Sequence, residues 1–554
     1  MLKTKIVSSQ EKVFLDDPID RFPALTQISA LRGEVLSVQF LFVDEGDPAL
    51  PWRPLCDVTV SGALASACTL RDVRWVPVDR PVKPEEYDDQ YLRTTPGLYP
   101  DVLTPLRYGG KIALSRNKLR SMWVELRIPE DAEGDLSLHI TLSLPNGEST
   151  STQSVCIHVI PIALPEQTTH FTQWFYCDCL ATYYNVEPFC DRHFEIIESF
   201  ARAAARRGRD TLYTPLFTPA LNVLPGYERL PSQLIRVRLT EGQYSFDFSL
   251  VDRWVDMCDR IGIRYLEISH FYQQDNAQHA AHVYATVDGE YKRLFGWETL
   301  ALDKEYQRFL RAMIAAFIQH MKARGDDGRC LYHISDEPYL AHLEHYRAVK
   351  EAIADLLEGY TIIDALSDFD FYSTGVLTHP VPTTASAPAF LEAGAKDLWV
   401  YYACCQLIGY SNCYVAMPSY RTRSLAFQLY KFRIAGFLHW GYNYYNNRAS
   451  GDAINPYMDL GGEDWVPAGD TFMVYPASDG TPLESIRMMT MEEVMQDLRA
   501  MQLCETYYSH DKVVAAIEDV LGAPITFDHC AQTAEQLLAV RETINRMIEQ
   551  AQTA

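Results

Sequence analysis

Cys330-Leu-Tyr-His-Ile-Ser-Asp336-Glu337-Pro338 is the stretch on which the fold reading turns. Its apolar and aromatic first half reads as a buried strand, and the proline after it can neither extend a β-ladder nor sit inside a helix. Two adjacent carboxylates are thus placed where a strand stops. In a parallel β/α barrel that end of the strand lies on the face that carries the chemistry. Neighbouring carboxyl groups in unlike surroundings can be driven to different pKa values, one charged and the other holding a proton. The plainer alternative is a polar turn in which Glu337 caps a helix beginning near Leu340.

Outward from this stretch toward the C-terminus, and back toward residue 166, strands and helices alternate. Candidate strands are Phe171 to Tyr176, Thr211 to Leu216, Arg264 to Phe271, Cys330 to Ser335, Thr361 to Leu366, Leu398 to Ala403, Ala435 to Trp440 and Thr471 to Tyr475. Helical patterns separate most of them: His193 to Arg206, Leu250 to Ile261, Tyr306 to Ala323, Leu340 to Leu357 and Ser419 to Arg433. The count predicts an α/β fold, a closed (β/α)8 TIM barrel over residues 166–482, with its excess length in the loops after strands two, three and seven. An open doubly wound sheet is the other arrangement, and the Gly-rich phosphate loop that usually marks it is missing.

Residues 1–165 read as a β-sandwich domain. Leu136, Leu138, Ile140, Leu142 and Leu144 alternate with polar residues, Pro145-Asn146-Gly147 supplies a hairpin turn, and Val155, Ile157 and Val159 resume the alternation. The Pro-rich segment Pro77 to Leu106 is expected to be an ordered excursion that leans on the next domain. Residues 483–554 read as a helical segment packed on the barrel, from the spacing in Met491 to Cys504 and Thr533 to Ile548.

Composition bounds the partners. A net charge of -24 repels nucleic-acid phosphates and anionic lipid surfaces, so neither nucleic acid nor membrane is an expected partner. No uninterrupted apolar run reaches the roughly 18 residues of a membrane span. The N-terminus lacks the apolar core of a signal peptide, and 13 scattered cysteines fit reduced thiols, so a cytoplasmic location is expected. Cys177-Asp-Cys179 and Cys404-Cys405 lack zinc-type spacing; no metal and no cofactor is expected.

The strand ends carry the functional reading. They present Trp174 and Asp178, His270, His333 with the carboxylate pair, Tyr401 and Tyr402, and Trp440, Tyr442 and Asn443. Aromatic platforms stack on sugar rings while Asp, Asn and His grip hydroxyls, which suits an oligosaccharide or glycoconjugate substrate; for any one of these side chains, core packing is the competing explanation. A two-carboxylate retaining glycosidase needs a nucleophile about 5 Å from its acid, and Ile434 to Asn447 holds no Asp or Glu. Adjacent carboxylates can instead serve a substrate that brings its own nucleophile, a 2-acetamido carbonyl, with Asp336 orienting the amide and Glu337 acting as acid and base.

The chain here resembles glycoside hydrolase family 123 and its relatives, the β-N-acetylgalactosaminidases. The resemblance is carried by Trp174 with Asp178, Tyr183-Tyr-Asn-Val-Glu-Pro-Phe189, Thr214-Pro-Leu-Phe-Thr-Pro219, Ser335-Asp-Glu-Pro338, Tyr402-Ala-Cys-Cys405 and Gly436-Phe-Leu-His-Trp-Gly441. It implies catalysis by Asp336 and Glu337 through the substrate-assisted route, with exo-action on terminal β-linked N-acetylgalactosamine. Two other classes remain: a two-carboxylate glycosidase with Glu267 as nucleophile, and a glycan-binding protein without catalysis.

Overall fold

The computed structural model describes residues 2–45, 54–107, 109–145 and 149–553. Alternation of apolar and polar residues in the N-terminal third folds into two five-stranded sheets. One runs in the order Leu2–Ser8, Val35–Asp44, Arg120–Arg127, Cys68–Val78, Gly97–Pro105, antiparallel throughout. The other runs Gln27–Arg32, Thr150–Ala163, Gly134–Ser143, Leu55–Gly62, Lys111–Ala113, and its first pair is parallel. Val38, Phe40, Met122 and Val124 of the first sheet share one core with Leu138, Ile140, Val155 and Ile157 of the second, as two facing sheets with a side-chain period of two require. Asn146 and Gly147 of the expected hairpin turn lie outside the described residues; the strands on either side do pair antiparallel.

The excursion expected over Pro77 to Leu106 is shorter than that range. Gly97–Pro105 is a sheet strand, and its prolines are tolerated because it lies at an edge. The intervening segment docks against the second half of the chain: Leu92 N–H donates to Ala416 O (2.9 Å), Tyr91 Oη to Leu407 O (3.1 Å), and Asp88 accepts from Arg421 Nη1 (2.7 Å).

The closed (β/α)8 barrel does not form. Seven parallel strands make an open half-barrel in the order Thr361–Ile362, Cys330–Tyr332, Tyr265–Ile268, Thr211–Thr214, His170–Gln173, Gly436–His439, Trp399–Tyr401. Thr471 to Tyr475, expected as the eighth strand, is not in this sheet. Val474–Pro476 instead pairs antiparallel with Pro482–Glu484 in a separate hairpin. Between the sheet's two edges, residues 381–383 make only isolated bridges, Ala365 with Val381 and Thr383 with Tyr401. Pro380 and Pro382 flank Val381, and without their N–H groups a regular ladder cannot propagate there.

Helices Asp191–Arg206, Ser249–Ile261 and Lys304–Arg324 cross between successive strands. Asp303 caps the third through the N–H groups of Glu305 and Tyr306, and Gly262 and Gly325 close the second and third in the left-handed conformation that glycine adopts without strain. The long loops after Thr214 and Ile268 build a further four-stranded sheet, Gln243–Asp247, Arg236–Thr240, Val283–Val287 and Glu290–Phe295. Three helices end the chain, Ile486–Glu505, His510–Leu521 and Ala534–Thr553. The first is buried on nearly every side and bonds the N-terminal sheets: Gln496 exchanges hydrogen bonds with Val35, and Glu493 accepts from Ser9 and Gln10.

Candidate active site

The strand Cys330–Tyr332 is short because a side chain takes over its hydrogen bonds. The Asp364 carboxylate accepts the N–H groups of Ile334 (2.9 Å) and Ser335 (3.4 Å), and Ser335 Oγ donates to Gln273 O (2.9 Å). The chain then turns sharply. Glu337 N–H reaches Ala365 O (3.0 Å), and Glu337 itself has φ +44°, a left-handed conformation unfavourable for any residue with a Cβ. Strain of this kind survives only where surrounding contacts dictate it, and here it aims adjacent carboxyl groups differently.

Asp336 is 4% exposed. Gln274 Nε2 donates to its Oδ2 (2.6 Å), while Oδ1 is buried with no partner among the described residues. Glu337 is reached by solvent although protein surrounds it closely, the situation of a side chain standing in a cleft. Tyr401 Oη donates to its Oε1. Burial raises the pKa of both carboxyls; the charge of Glu337 raises that of Asp336 further, and the Tyr401 hydrogen bond partly offsets the rise at Glu337. Such a pair titrates as a unit, the first deprotonation making the second harder, so it retains one proton in the range where lone carboxyls are ionised.

A charged layer lies beneath. His333 Nε2 donates to Glu267 Oε1 (2.7 Å) and Nδ1 to Asp364 Oδ1 (3.2 Å), all three side chains fully buried. Burial disfavours the imidazolium, but its two carboxylate partners outweigh that and raise its pKa to about 9. Glu267 also accepts from Trp174 Nε1 (2.7 Å) and from the Thr172 hydroxyl. Asp364 also accepts from the Tyr346 hydroxyl. His270 stacks on His333 with ring centroids 4.1 Å apart. Burial, then the neighbouring imidazolium, keeps it neutral; its Nδ1 lies 3.1 Å from Tyr213 Oη, and its Nε2 has no partner among the described residues.

Of the residues expected to bind substrate, Trp174, His270, His333 and Tyr401 therefore gather around Asp336 and Glu337. The others are engaged with other partners. Asp178 is buried in an ion pair with Arg229 (2.8 Å), whose guanidinium lies over the rings of Tyr176 and Tyr444. Tyr402 points into the core, its hydroxyl on Met491 Sδ (3.2 Å). Tyr442 packs on Phe175 and donates to Phe200 O (2.8 Å). Asn443 ties both backbone groups of Tyr176 (2.8 and 3.0 Å). Trp440 donates to Asp470 Oδ2 (3.0 Å) and packs near Tyr444 and Trp465. Gln274, Tyr213 and Asp364 enter the site without having been singled out in the sequence. Gln274, four residues past His270, lies in the loop after the third strand, and no sequence pattern marks its contact.

Among the described residues, two clusters place potential metal ligands together, His270–His333–Asp364 and Cys413–His439–Asp470. Their hydrogen bonds oppose that use. Both His333 nitrogens are held by carboxylates. His439 Nδ1 accepts from Gln173 Nε2 (2.9 Å) and Gly441 N–H (3.2 Å), which leaves the proton on Nε2, the atom facing Cys413 and Asp470. A cavity of about 580 Å³ opens at the opposite ends of the strands, lined by His170, Tyr265, Thr361 and Trp399, and neither Asp336 nor Glu337 borders it.

The family model described as "Glycoside hydrolase 123, catalytic domain" matches residues 174–504. A search of curated proteins found no match. Among solved structures, one on glycolipid glycan hydrolysis by a family 123 glycoside hydrolase from Clostridium perfringens superposes with a TM-score of 0.75 at 16% identity, over 99% of this chain and 98% of that one. A Parabacteroides merdae β-glucuronidase matches with a TM-score of 0.32 at 11% identity, over 90% of this chain and 51% of its own, too weakly to bear on the fold.

Proposed function

The chain belongs to glycoside hydrolase family 123, and from that premise we propose that it is a retaining exo-hydrolase. Its substrate is a terminal β-linked N-acetylgalactosamine on an oligosaccharide or glycoconjugate, and the substrate's own acetamido group is the nucleophile. One observation carries the reading. Glu267 and Asp364, whose charges act on Asp336, are fully buried and spent on holding His333, Trp174, Thr172, Tyr346 and two backbone N–H groups. Glu267, the alternative nucleophile, has no access to a sugar. Asp336 and Glu337 remain, and as neighbours on one turn they cannot stand on opposite faces of a ring.

In the proposed reaction the two carboxyl groups act in turn. The buried Oδ1 of Asp336, which no group among the described residues engages, accepts the acetamido N–H once the sugar is bound, which favours the ionised form of Asp336 and leaves the shared proton on Glu337. The acetamido oxygen attacks the anomeric carbon as Glu337 protonates the departing glycosidic oxygen. The oxazolinium charge is held by Asp336, and Glu337, now a base, activates the water that opens the ring with retention. Loops that carry Gln274 and the four-stranded sheet, together with the docked segment before Gly97, are the segments available to wall off a pocket for a terminal sugar.

A thiazoline mimic of the cyclic intermediate tests this. Competitive inhibition, weakened by Asp336→Asn, is expected. Trapping of a covalent glycosyl-enzyme by a 2-fluoro glycoside would contradict the reading.

A further inference from the structure

The strand Trp399–Tyr401 leads into a turn with two consecutive cysteines. Consecutive side chains on an extended strand point to opposite faces; in this turn the sulfurs of Cys404 and Cys405 lie 3.8 Å apart. Cys405 is the one exposed cysteine of the thirteen, and Cys404 is half-buried. The turn is pinned on both sides: Ala403 N–H donates to Gln406 Oε1 (2.9 Å), and Ala403 O accepts from Asn412 Nδ2 and Tyr414 Oη (both 2.8 Å). Two residues before Ala403 stands Tyr401, whose hydroxyl holds Glu337. The Cys404 hydrogen bond brings the Cys405 thiol down to about 7, against burial and the charges of Glu337 and Asp470 and with help from Lys83. A thiolate is therefore available near neutral pH.

We propose that Cys404 and Cys405 form a modification site for small-molecule disulfides at the rim of the carboxylate cleft, and that its closure to a vicinal disulfide switches the enzyme off. The Cys405 thiolate attacks one sulfur of RSSR and expels RS⁻, giving a mixed disulfide. Cys404 loses its proton, attacks the Cys405 sulfur and expels the second RS⁻. Two protein thiols are oxidised by two electrons, one RSSR is reduced, and the two cysteine protons leave on two RSH. The resulting ring contains the peptide bond between the two residues and cannot keep the present turn, so Tyr401 and the rim beside Glu337 shift. Strained, exposed disulfides are the readily reduced ones, which makes the step reversible.

The switch rests on the proposed glycosidase reading; the modification site does not. Wild type, Cys404→Ser and Cys405→Ser are treated with glutathione disulfide and followed by peptide mass and by hydrolysis of a nitrophenyl 2-acetamido glycoside. In wild type the peptide containing both cysteines is expected to lose two hydrogens while activity falls at least about tenfold, and dithiothreitol reverses both. Cys404→Ser should stop at a glutathione adduct on Cys405, and Cys405→Ser should stay unmodified and active. A wild-type peptide that stays reduced, or stops at the adduct, overturns the site. Ring closure with unchanged activity overturns the switch. Absence of hydrolysis before any treatment defeats the glycosidase reading and the switch with it, and leaves the mass result to decide the site.

Discussion

Asp336 and Glu337 differ in what surrounds them, and their variants should differ accordingly. Glu337→Gln is expected to slow substrates with poor leaving groups by ~10²–10⁴-fold, the usual worth of proton transfer, while nitrophenyl glycosides, which leave without help, change little. Asp336→Asn should slow both kinds by ~10²–10³-fold, the range seen when one charge-stabilising group is lost. Steady-state kinetics on the two substrate types checks this; equal losses for Glu337→Gln would break the assignment. His333 adds a pH dependence. Its pKa rises from 6.5 to about 9 on folding, so its contribution to stability is complete below 6.5 and is lost as pH rises through 9. Thermal midpoints of wild type should fall over that range, and those of His333→Gln, lower at pH 7, should lack the fall. The carboxylate pair was legible in the sequence because its members are contiguous and end a strand. Gln274 and Asp364 were not, because they meet Asp336 and His333 from 62 and 31 residues away. Tyr442 and Asn443 misled for the opposite reason: beyond a strand end the alternation that predicts facing is gone.

The turn after Cys330–Tyr332 shows what an element contributes beyond its residues. Its left-handed Glu337 is strained for any side chain with a Cβ, so Glu337→Gly should be more stable than Glu337→Ala by about 1 kcal/mol, the reverse of the usual order. Denaturant melts of the two variants, both without the carboxylate, compare the backbone cost directly; a more stable alanine variant would count against the strain. Seven of the eight expected strands fall where their apolar runs predict, each shorter than read. Thr471 to Tyr475 failed because a short buried run looks the same in a parallel sheet and in a hairpin. The loops supply what apolar runs do not announce, among them Pro380 and Pro382, which interrupt the region between the sheet edges.

Across the whole molecule, a buried ionic cluster joins parts far apart in sequence. Arg207 bonds Glu125 of an N-terminal sheet, Glu484 of the hairpin and Glu492 of helix Ile486–Glu505, each within 2.8 Å, and Arg71 bridges Glu125 and Glu484. Arg207→Met would leave buried carboxylates under-compensated and is expected to cost ~3–5 kcal/mol by denaturant unfolding. A loss below about 1 kcal/mol would mean that the cluster does not join these parts. Burial opposes the charge of Glu484, yet Arg207, Arg71 and Arg206 hold its pKa far below the ordinary 4.5. Its share of stability is present above 4.5 and lost as pH falls toward its folded value. The order of β-rich, α/β and helical segments could be read from periodicity. The central place of helix Ile486–Glu505 could not: its buried Arg487, Glu492, Glu493 and Asp497 have the side chains that ordinarily mark an exposed face.

The central claim is that the substrate supplies the nucleophile. Comparing kcat/KM for nitrophenyl 2-acetamido-2-deoxy-β-galactopyranoside and nitrophenyl β-galactopyranoside tests it most directly, because the two differ only at the group in question. A preference of at least about a hundredfold for the acetamido sugar is predicted, since a nucleophile held within the substrate has no counterpart in the 2-hydroxy sugar. Comparable turnover of the two would contradict the account.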